Sequence, residues 1–159
     1  MELEQLCADD WQRLKQLRLA ALRDAPDAFD STHEWAERLS EGDWRRQIEE
    51  LVTFFAVDNG NDFGMVRGVP SDTEPSSAFL ISMWVAPTGR GTGAGERLIE
   101  AVVNWARQCG FARMELDVAD DNVAAIALYE RCNFFPTGET GTLSPPRSHI
   151  LEHRRSLRL

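Results

Sequence analysis

Six consecutive residues, Arg90-Gly91-Thr92-Gly93-Ala94-Gly95, have the composition of a phosphate seat. They follow an apolar run that ends in Trp84-Val85-Ala86-Pro87 and open an amphipathic segment that reaches Gly110. A turn with so few side chains leaves its backbone N–H groups bare. At the start of a helix those groups point outward with the positive end of the helix dipole behind them. Several unrelated folds use such a turn, so the rest of the chain has to identify the ligand.

The elements that must hold this turn follow from the hydrophobic period. Glu2 to Leu6 suits a short strand, and Asp9 or Asp10 caps a helix with Trp11, Leu14, Leu17, Ala21 and Leu22 on one face, ending before Pro26. Ser31 and Glu34 have capping-box spacing at the head of a second helical region that carries Trp35 and Leu39; Gly42 interrupts it, and Trp44 and Ile48 continue it. Leu51 to Val57 and Phe63 to Gly68 read as strands joined by the turn Asp58-Asn59-Gly60-Asn61. Val69 to Ser77 reads as an exposed loop, and Ala78 to Val85 as a central strand buried on both faces.

Gly91 to Cys109 is the main helix, with Gly110 as its stop. Ala112, Met114, Leu116 and Val118 then alternate with Arg113, Glu115 and Asp117, a strand with one polar face turned to solvent or ligand. A helix from Asn122 to Cys132, a strand from Phe134 to Thr137, a loop through Ser144-Pro145-Pro146 and a closing strand within Ser148 to Leu157 complete the chain.

The totals narrow the function. A chain of 159 residues is the size of one domain, spanning 1–159, and 43% hydrophobic with 27% charged residues is ordinary for a globular protein. No run is apolar enough for a signal peptide or a membrane span, so no membrane partner and a cytoplasmic location are expected. A net charge of -9 argues against nucleic acid, whose binding needs Lys and Arg. Cys7, Cys109 and Cys132 fit neither a disulfide framework nor a zinc site and are expected as buried reduced thiols. His33, His149 and His153 are too scattered for a metal cluster, so no metal is expected.

Three readings of the glycine turn compete. A P-loop needs a lysine at its end, and none lies near. A dinucleotide-binding Rossmann-type fingerprint is satisfied by Gly89-Arg90-Gly91-Thr92-Gly93-Ala94, and Asp117 stands where a ribose-binding acid would, but Pro87 and Thr88 delay the turn and too little chain follows for a second half. The third frame is Arg90-x-x-Gly93-x-Gly95, answered downstream by Asn122-x-x-Ala125-x-x-Leu128-Tyr129-x-x-x-Asn133-Phe134. In these two motifs the chain resembles the GCN5-related N-acetyltransferase (GNAT) superfamily. Helical geometry puts Asn122, Ala125 and Tyr129 on one face, and Ala125 is small enough for a thin cofactor arm to pass.

The resemblance covers most of the chain, including the order of its elements. It implies an α/β fold, a single domain with a mixed, mainly antiparallel sheet flanked by helices. It also implies an acetyl-CoA-dependent N-acetyltransferase that moves an acetyl group by direct attack to a primary amine, on a small molecule or a protein N-terminus. The backbone of Met83, Trp84 and Val85 would bond the pantetheine amides, and the N–H groups of Gly91, Thr92, Gly93, Ala94, Gly95 and Glu96 would hold the pyrophosphate. Tyr129 matches the position of the family's general acid, or its hydroxyl bonds the cofactor sulfur. Asp117 matches a carboxylate base in some members, although Glu115 shares its face and either can be solvated or paired; Ser82 would instead orient water. Arg97 or Arg131 would assist at the 3′-phosphate.

Two departures stand out. Asn133 replaces a glycine but tolerates the left-handed conformation. No basic residue stands at the middle of the phosphate turn. By resemblance, Phe29, Trp35 and Trp44 come from the acceptor wall, though aromatic residues at helical spacing more often pack into a core, and the Thr140 to Arg147 loop forms the other wall. Asp27, Asp30 and Glu34 nearby suit a cationic amine. Exposed edge strands suit a homodimer. The alternative from another class is a non-catalytic acyl-CoA-binding or sensor domain.

Overall fold

The computed structural model describes all 159 residues. Seven strands form one sheet: β1 (Glu2–Gln5), β2 (Val52–Asp58), β3 (Asn61–Pro70), β4 (Ser77–Val85), β5 (Arg113–Ala119), β6 (Phe135–Thr142) and β7 (Leu151–Arg158). Their spatial order is β1-β2-β3-β4-β5-β7-β6. Every neighbouring pair is antiparallel except β4 and β5. Five helices pack around the sheet: α1 (Trp11–Asp24), α2 (His33–Glu37), α3 (Glu41–Glu50), α4 (Ala94–Gln108) and α5 (Val123–Arg131).

The sheet separates two cores. On one face α4 buries Leu98, Ile99, Val102 and Ala106 against Val66, Leu80, Met114 and Leu116, with Tyr129 and Phe134 at the edge. On the other face α1 and α3 bury Leu14, Leu22, Trp44 and Ile48 against Phe55, Met65 and Trp84. The alternation of β3 between the two cores follows from the two-residue period of a strand. No helix is long and apolar enough to cross a membrane.

Several boundaries differ from those expected, each for a local reason. The main helix begins at Ala94 rather than Gly91, because Gly91 and Gly93 have φ of +79° and +85° and cannot belong to a right-handed helix. The second helix is capped by Thr32, whose hydroxyl accepts from the Trp35 N–H, rather than by Ser31. Gly42 does not interrupt a helix: the break falls at Arg38 to Ser40, and Ser40 and Asp43 form the reciprocal cap that starts α3. The exposed loop shrinks to residues 71–76, since Val69 and Pro70 stay paired with Phe79 and Ala78. β6 runs on to Thr142 through a register shift between Pro136 and Thr140 where Gly138 has φ +89°. All eight residues of this edge strand are exposed, so no alternation marks it.

Two features of β4 position the site. Its ladder with β5 is confined to Ser77, Ala78 and Phe79, after which the two strands part. Opposite Val66 it carries an extra residue: Met65 pairs with Trp84 but Arg67 with Ile81. The bulge falls at Ser82, which has φ +57°, a conformation that a non-glycine residue keeps only where its surroundings hold it.

Candidate active site

Where β4 and β5 part, a cavity of about 750 Å³ opens, and its lining joins the glycine turn, the end of β4, α5 and the segment after α1. Met83, Trp84, Val85, Arg90, Gly91, Gly93, Gly95, Glu96, Asn122, Ala125 and Tyr129 all line it, as do Ser82 and Asp117. Thr92 and Ala94, also singled out in the sequence, do not line it; Thr92 ties down the turn by donating to the Gly89 carbonyl at 2.6 Å, and Ala94 is buried.

Gly93 ends the turn in the left-handed conformation, and the α4 N–H groups behind it have no side-chain cap. Nothing lies within 4 Å of where a Cβ at Gly91 or Gly93 would stand, so their surface is open to a ligand. A Cβ at Gly95 would instead come within 2.9 Å of Leu128 Cδ2, which keeps α4 and α5 close. The Asn122 side chain accepts from the Ala125 N–H at 3.3 Å and so fixes the first turn of α5. Ala125 and Tyr129 follow on the same face.

Tyr129 is 7% exposed, and its ring packs edge-on to Phe134 with centroids 6.1 Å apart. Burial first, and Cys132 second, push its phenol above the ordinary value. The hydroxyl makes no hydrogen bond within the protein, and the residue belongs to the cavity lining. It is a protonated donor waiting for an acceptor in the cavity.

The charged residues are more tightly engaged than the sequence suggested. Arg90 turns away from the glycine N–H groups: its guanidinium donates to Asp24 at 2.7 Å and to the Val85 carbonyl at 2.9 Å, and Trp84 Nε1 donates to the same Asp24 oxygen at 3.0 Å. This clamps the glycine turn to the end of α1. Trp84 first and Arg90 after it hold the Asp24 carboxyl below its usual range. Arg131 is bound to Glu96 across the mouth, 2.9 Å from Nη2, and Arg97 donates to the Met1 carbonyl at 3.0 Å. Asp117 accepts at both oxygens from Arg154, at 3.0 and 3.2 Å, and Arg154 also reaches Glu139 at 3.0 Å. Glu115 accepts from Ser77 at 3.2 Å.

A second, wholly polar recess of about 230 Å³ adjoins the cavity at Asp117 and includes Glu139, Glu152 and Arg154. Burial, with Asp117 and Asp30 nearby, raises the Glu152 carboxyl above its ordinary value. The two expected acceptor walls are stitched together here. Arg147 donates to the Pro26, Phe29 and Asp30 carbonyls at 2.6, 2.8 and 2.7 Å, and Ser144 binds Asp30 through N–H and hydroxyl. Of the three aromatics, Trp44 is core, Phe29 is buried and lines the cavity, and Trp35 is 54% exposed and serves as neither.

The cysteines are free, but Cys7 and Cys109 are exposed and Cys132 is half-buried, against the expectation of buried thiols. Cys7 and Cys109 stand at helix ends, where the chain turns toward solvent. The sequence also gave no weight to Arg18, Arg67 and Gln47. Arg67, 6% exposed, donates from Nε and Nη2 to Ser82 Oγ at 2.9 and 2.7 Å and from Nη1 to Gln47 Oε1 at 2.6 Å. Arg18, 5% exposed, stacks on the Phe29 ring at 4.6 Å. The signal for both was present, since Arg18 falls midway between Leu14 and Leu22 on the apolar stripe and Arg67 follows Met65 on the inward face of β3.

The family model for the acetyltransferase (GNAT) family matches residues 11–134. An L-2,4-diaminobutyric acid acetyltransferase from Nocardia farcinica is 30% identical over 86 residues, 54% of this chain and 44% of that protein. An aminoglycoside N(6′)-acetyltransferase type 1 from Stenotrophomonas maltophilia is 30% identical over 127 residues, 77% of this chain and 78% of that one. The structure of yncA from Salmonella typhimurium with its cofactor acetyl-CoA superposes with a TM-score of 0.75 at 20% identity, covering 100% of this chain and 94% of that one. Coverage of the relatives is uneven: the chain spans 24%, 44% and 54% of the lengths of three of them.

Proposed function

The chain belongs to the acetyltransferase (GNAT) family, and we propose that it transfers the acetyl group of acetyl-CoA directly to a primary amine of a small molecule. One observation carries the reading. The gap between β4 and β5 opens over the glycine turn, and the unpartnered Tyr129 hydroxyl lies in the same cavity. A backbone edge, an uncapped helix N-terminus and a proton donor are the three things a thioester of this shape needs from a protein.

Acetyl-CoA, when bound, supplies the activated acyl group. The N–H groups of Gly91 to Glu96 hold its diphosphate, and the free edge of β4 at Met83, Trp84 and Val85 pairs with its amide arm. Ala125 leaves the width for that arm, and Asn122 keeps the face of α5 in register. A backbone N–H near Val85 stabilises the negative charge that develops on the carbonyl oxygen. The acceptor nitrogen, deprotonated, forms the new bond to the carbonyl carbon as the carbon–sulfur bond breaks, and Tyr129 gives its proton to the leaving sulfur. The nitrogen's surplus proton leaves toward the acidic recess, and Tyr129 recovers a proton from solvent before the next turnover.

Asp117 is assigned a positioning part rather than the part of base, because Arg154 occupies both its oxygens. The recess of Glu139, Glu152 and Asp117 draws a cationic amine toward the cavity. The Tyr129→Phe variant tests the reading. Turnover falls about 10² to 10⁴-fold, the usual contribution of a general acid, while the dissociation constant for acetyl-CoA changes less than about threefold. Unchanged turnover removes Tyr129 from the chemistry.

A further inference from the structure

Two buried arginines lie one layer behind the acceptor side of the cavity, and no carboxylate answers them. Neither Arg18 nor Arg67 forms an ion pair with an acid; burial pulls them down to about 10 and about 9, Arg67 being further lowered by Arg18 nearby. Both are therefore still charged at neutral pH. A charge taken from water without a counter-ion is costly, and native proteins normally place an acid beside it. Arg18 Nη1 is also without any hydrogen-bond partner.

The charge is passed to one residue of the cavity lining. Arg67 fills the lone pairs of Ser82 Oγ with two N–H donors, at 2.9 and 2.7 Å. The Ser82 hydroxyl must then send its own proton elsewhere, and no protein acceptor takes it, although the residue lines the cavity. A hydroxyl polarised by a guanidinium and left free to donate is built for an anionic oxygen.

Geometry decides which anionic oxygen. Met83 packs with the α4 core, and its Cε lies 3.5 Å from a Cβ built at Gly95, so Met83 faces the phosphate turn. Ser82, bonded to an arginine that is held by Gln47 of α3, faces the opposite way, toward the α1 and α3 side of the sheet. The glycine turn already answers the diphosphate. We propose that Ser82, with Arg67 and Arg18 behind it, binds the carboxylate of the acceptor, which makes the acceptor an amino acid or an amino-acid-like zwitterion rather than a simple polyamine. Its ammonium group matches the acidic recess of Asp117 and Glu152, which adjoins the same cavity at Asp117. The assignment rests on the transfer reading above and names the substrate class of that same site.

The test compares pairs of amines that differ only in the carboxylate: 2,4-diaminobutyrate against 1,3-diaminopropane, and lysine against cadaverine. CoA release with saturating acetyl-CoA gives kcat/KM for each. A charge-assisted hydrogen bond predicts that the carboxylate member leads by about 10- to 100-fold. Ser82→Ala collapses that ratio toward one. Ser82→Gly, which suits φ +57° and keeps the bulge, does the same if the alanine variant folds poorly. Equal or faster turnover of the diamines overturns the proposal, and so does a loss of the same factor on both members of a pair, which assigns Ser82 to the acyl group. If no amine releases CoA, the transfer reading fails. The subsite is then judged by binding: with CoA present, the amino acids raise the melting temperature more than the diamines do, and Ser82→Gly removes the difference. No such difference overturns the subsite.

Discussion

The wall built from the glycine turn and α5 is mostly bare turn backbone and small residues around one phenol, with the Glu96–Arg131 pair and the Asn122 cap among its few polar side chains. The wall built from α1, residues 26–30 and the β3–β4 bulge is made of side chains held by other side chains: Ser82 by Arg67, Phe29 against Arg18, Trp84 and Arg90 on Asp24. A wall of backbone can be specified by residues that stay out of the way, which is why glycines and alanines at fixed spacing mark it. A wall of side chains is specified by partners far apart in sequence, such as Arg67 with Ser82 and Gln47. The first suits a ligand common to a family, and the second suits one particular acceptor.

Substitutions on the two walls separate these parts. The largest effect is expected at Tyr129, where the phenylalanine variant removes the single proton donor of the backbone-rich wall. The same variant has a signature in stability. Because burial holds the phenol above its ordinary 10.0, the unfolded chain loses this proton first as pH rises. The stability it contributes is complete below about pH 10 and declines above it. Urea unfolding of wild type should weaken between about pH 9 and pH 11 by more than that of Tyr129→Phe; equal slopes contradict a buried neutral phenol.

Next in size is Ala125→Leu, which puts a branched side chain into the passage beside Tyr129. Overpacking of about 1–3 kcal/mol weakens acetyl-CoA binding roughly 5- to 150-fold by calorimetry, while the ratio between carboxylate and diamine acceptors is kept. A change in that ratio would join the two walls that the comparison separates. Gly93→Ala comes third. With nothing in the protein within 4 Å of the new Cβ, the penalty to folding is the left-handed backbone at φ +85° alone, about 1 kcal/mol, or a melting temperature lower by about 2–4 °C. The smallest effect is at Asp117. Since Arg154 holds both its oxygens, Asp117→Asn should change turnover less than about threefold and leave the acidic limb of the pH–rate profile in place. A vanished limb would restore Asp117 as the base.

The sequence was most legible where a local rule operates. Met114, Leu116 and Val118 alternate as a strand should, and the period 122-125-129 put three cavity residues on one helix face. It was least legible where a residue's meaning depends on a distant neighbour. Arg90 opens the glycine-turn motif, yet its side chain is engaged by Asp24, 66 residues away. Arg18 and Arg67 sit at apolar positions of their elements, and a reading that records only apolar residues passes over them. β6 was shortened because Thr137 to Thr142 are all exposed and polar, so burial left no period to follow.

Acetyl transfer itself is the most direct measurement. Wild-type protein with acetyl-CoA and a panel of amino acids, diamines and aminoglycosides should release CoA in step with an N-acetylated product from at least one primary amine. A protein whose melting temperature rises with acetyl-CoA, but which releases no CoA above buffer hydrolysis with any amine, would contradict the account.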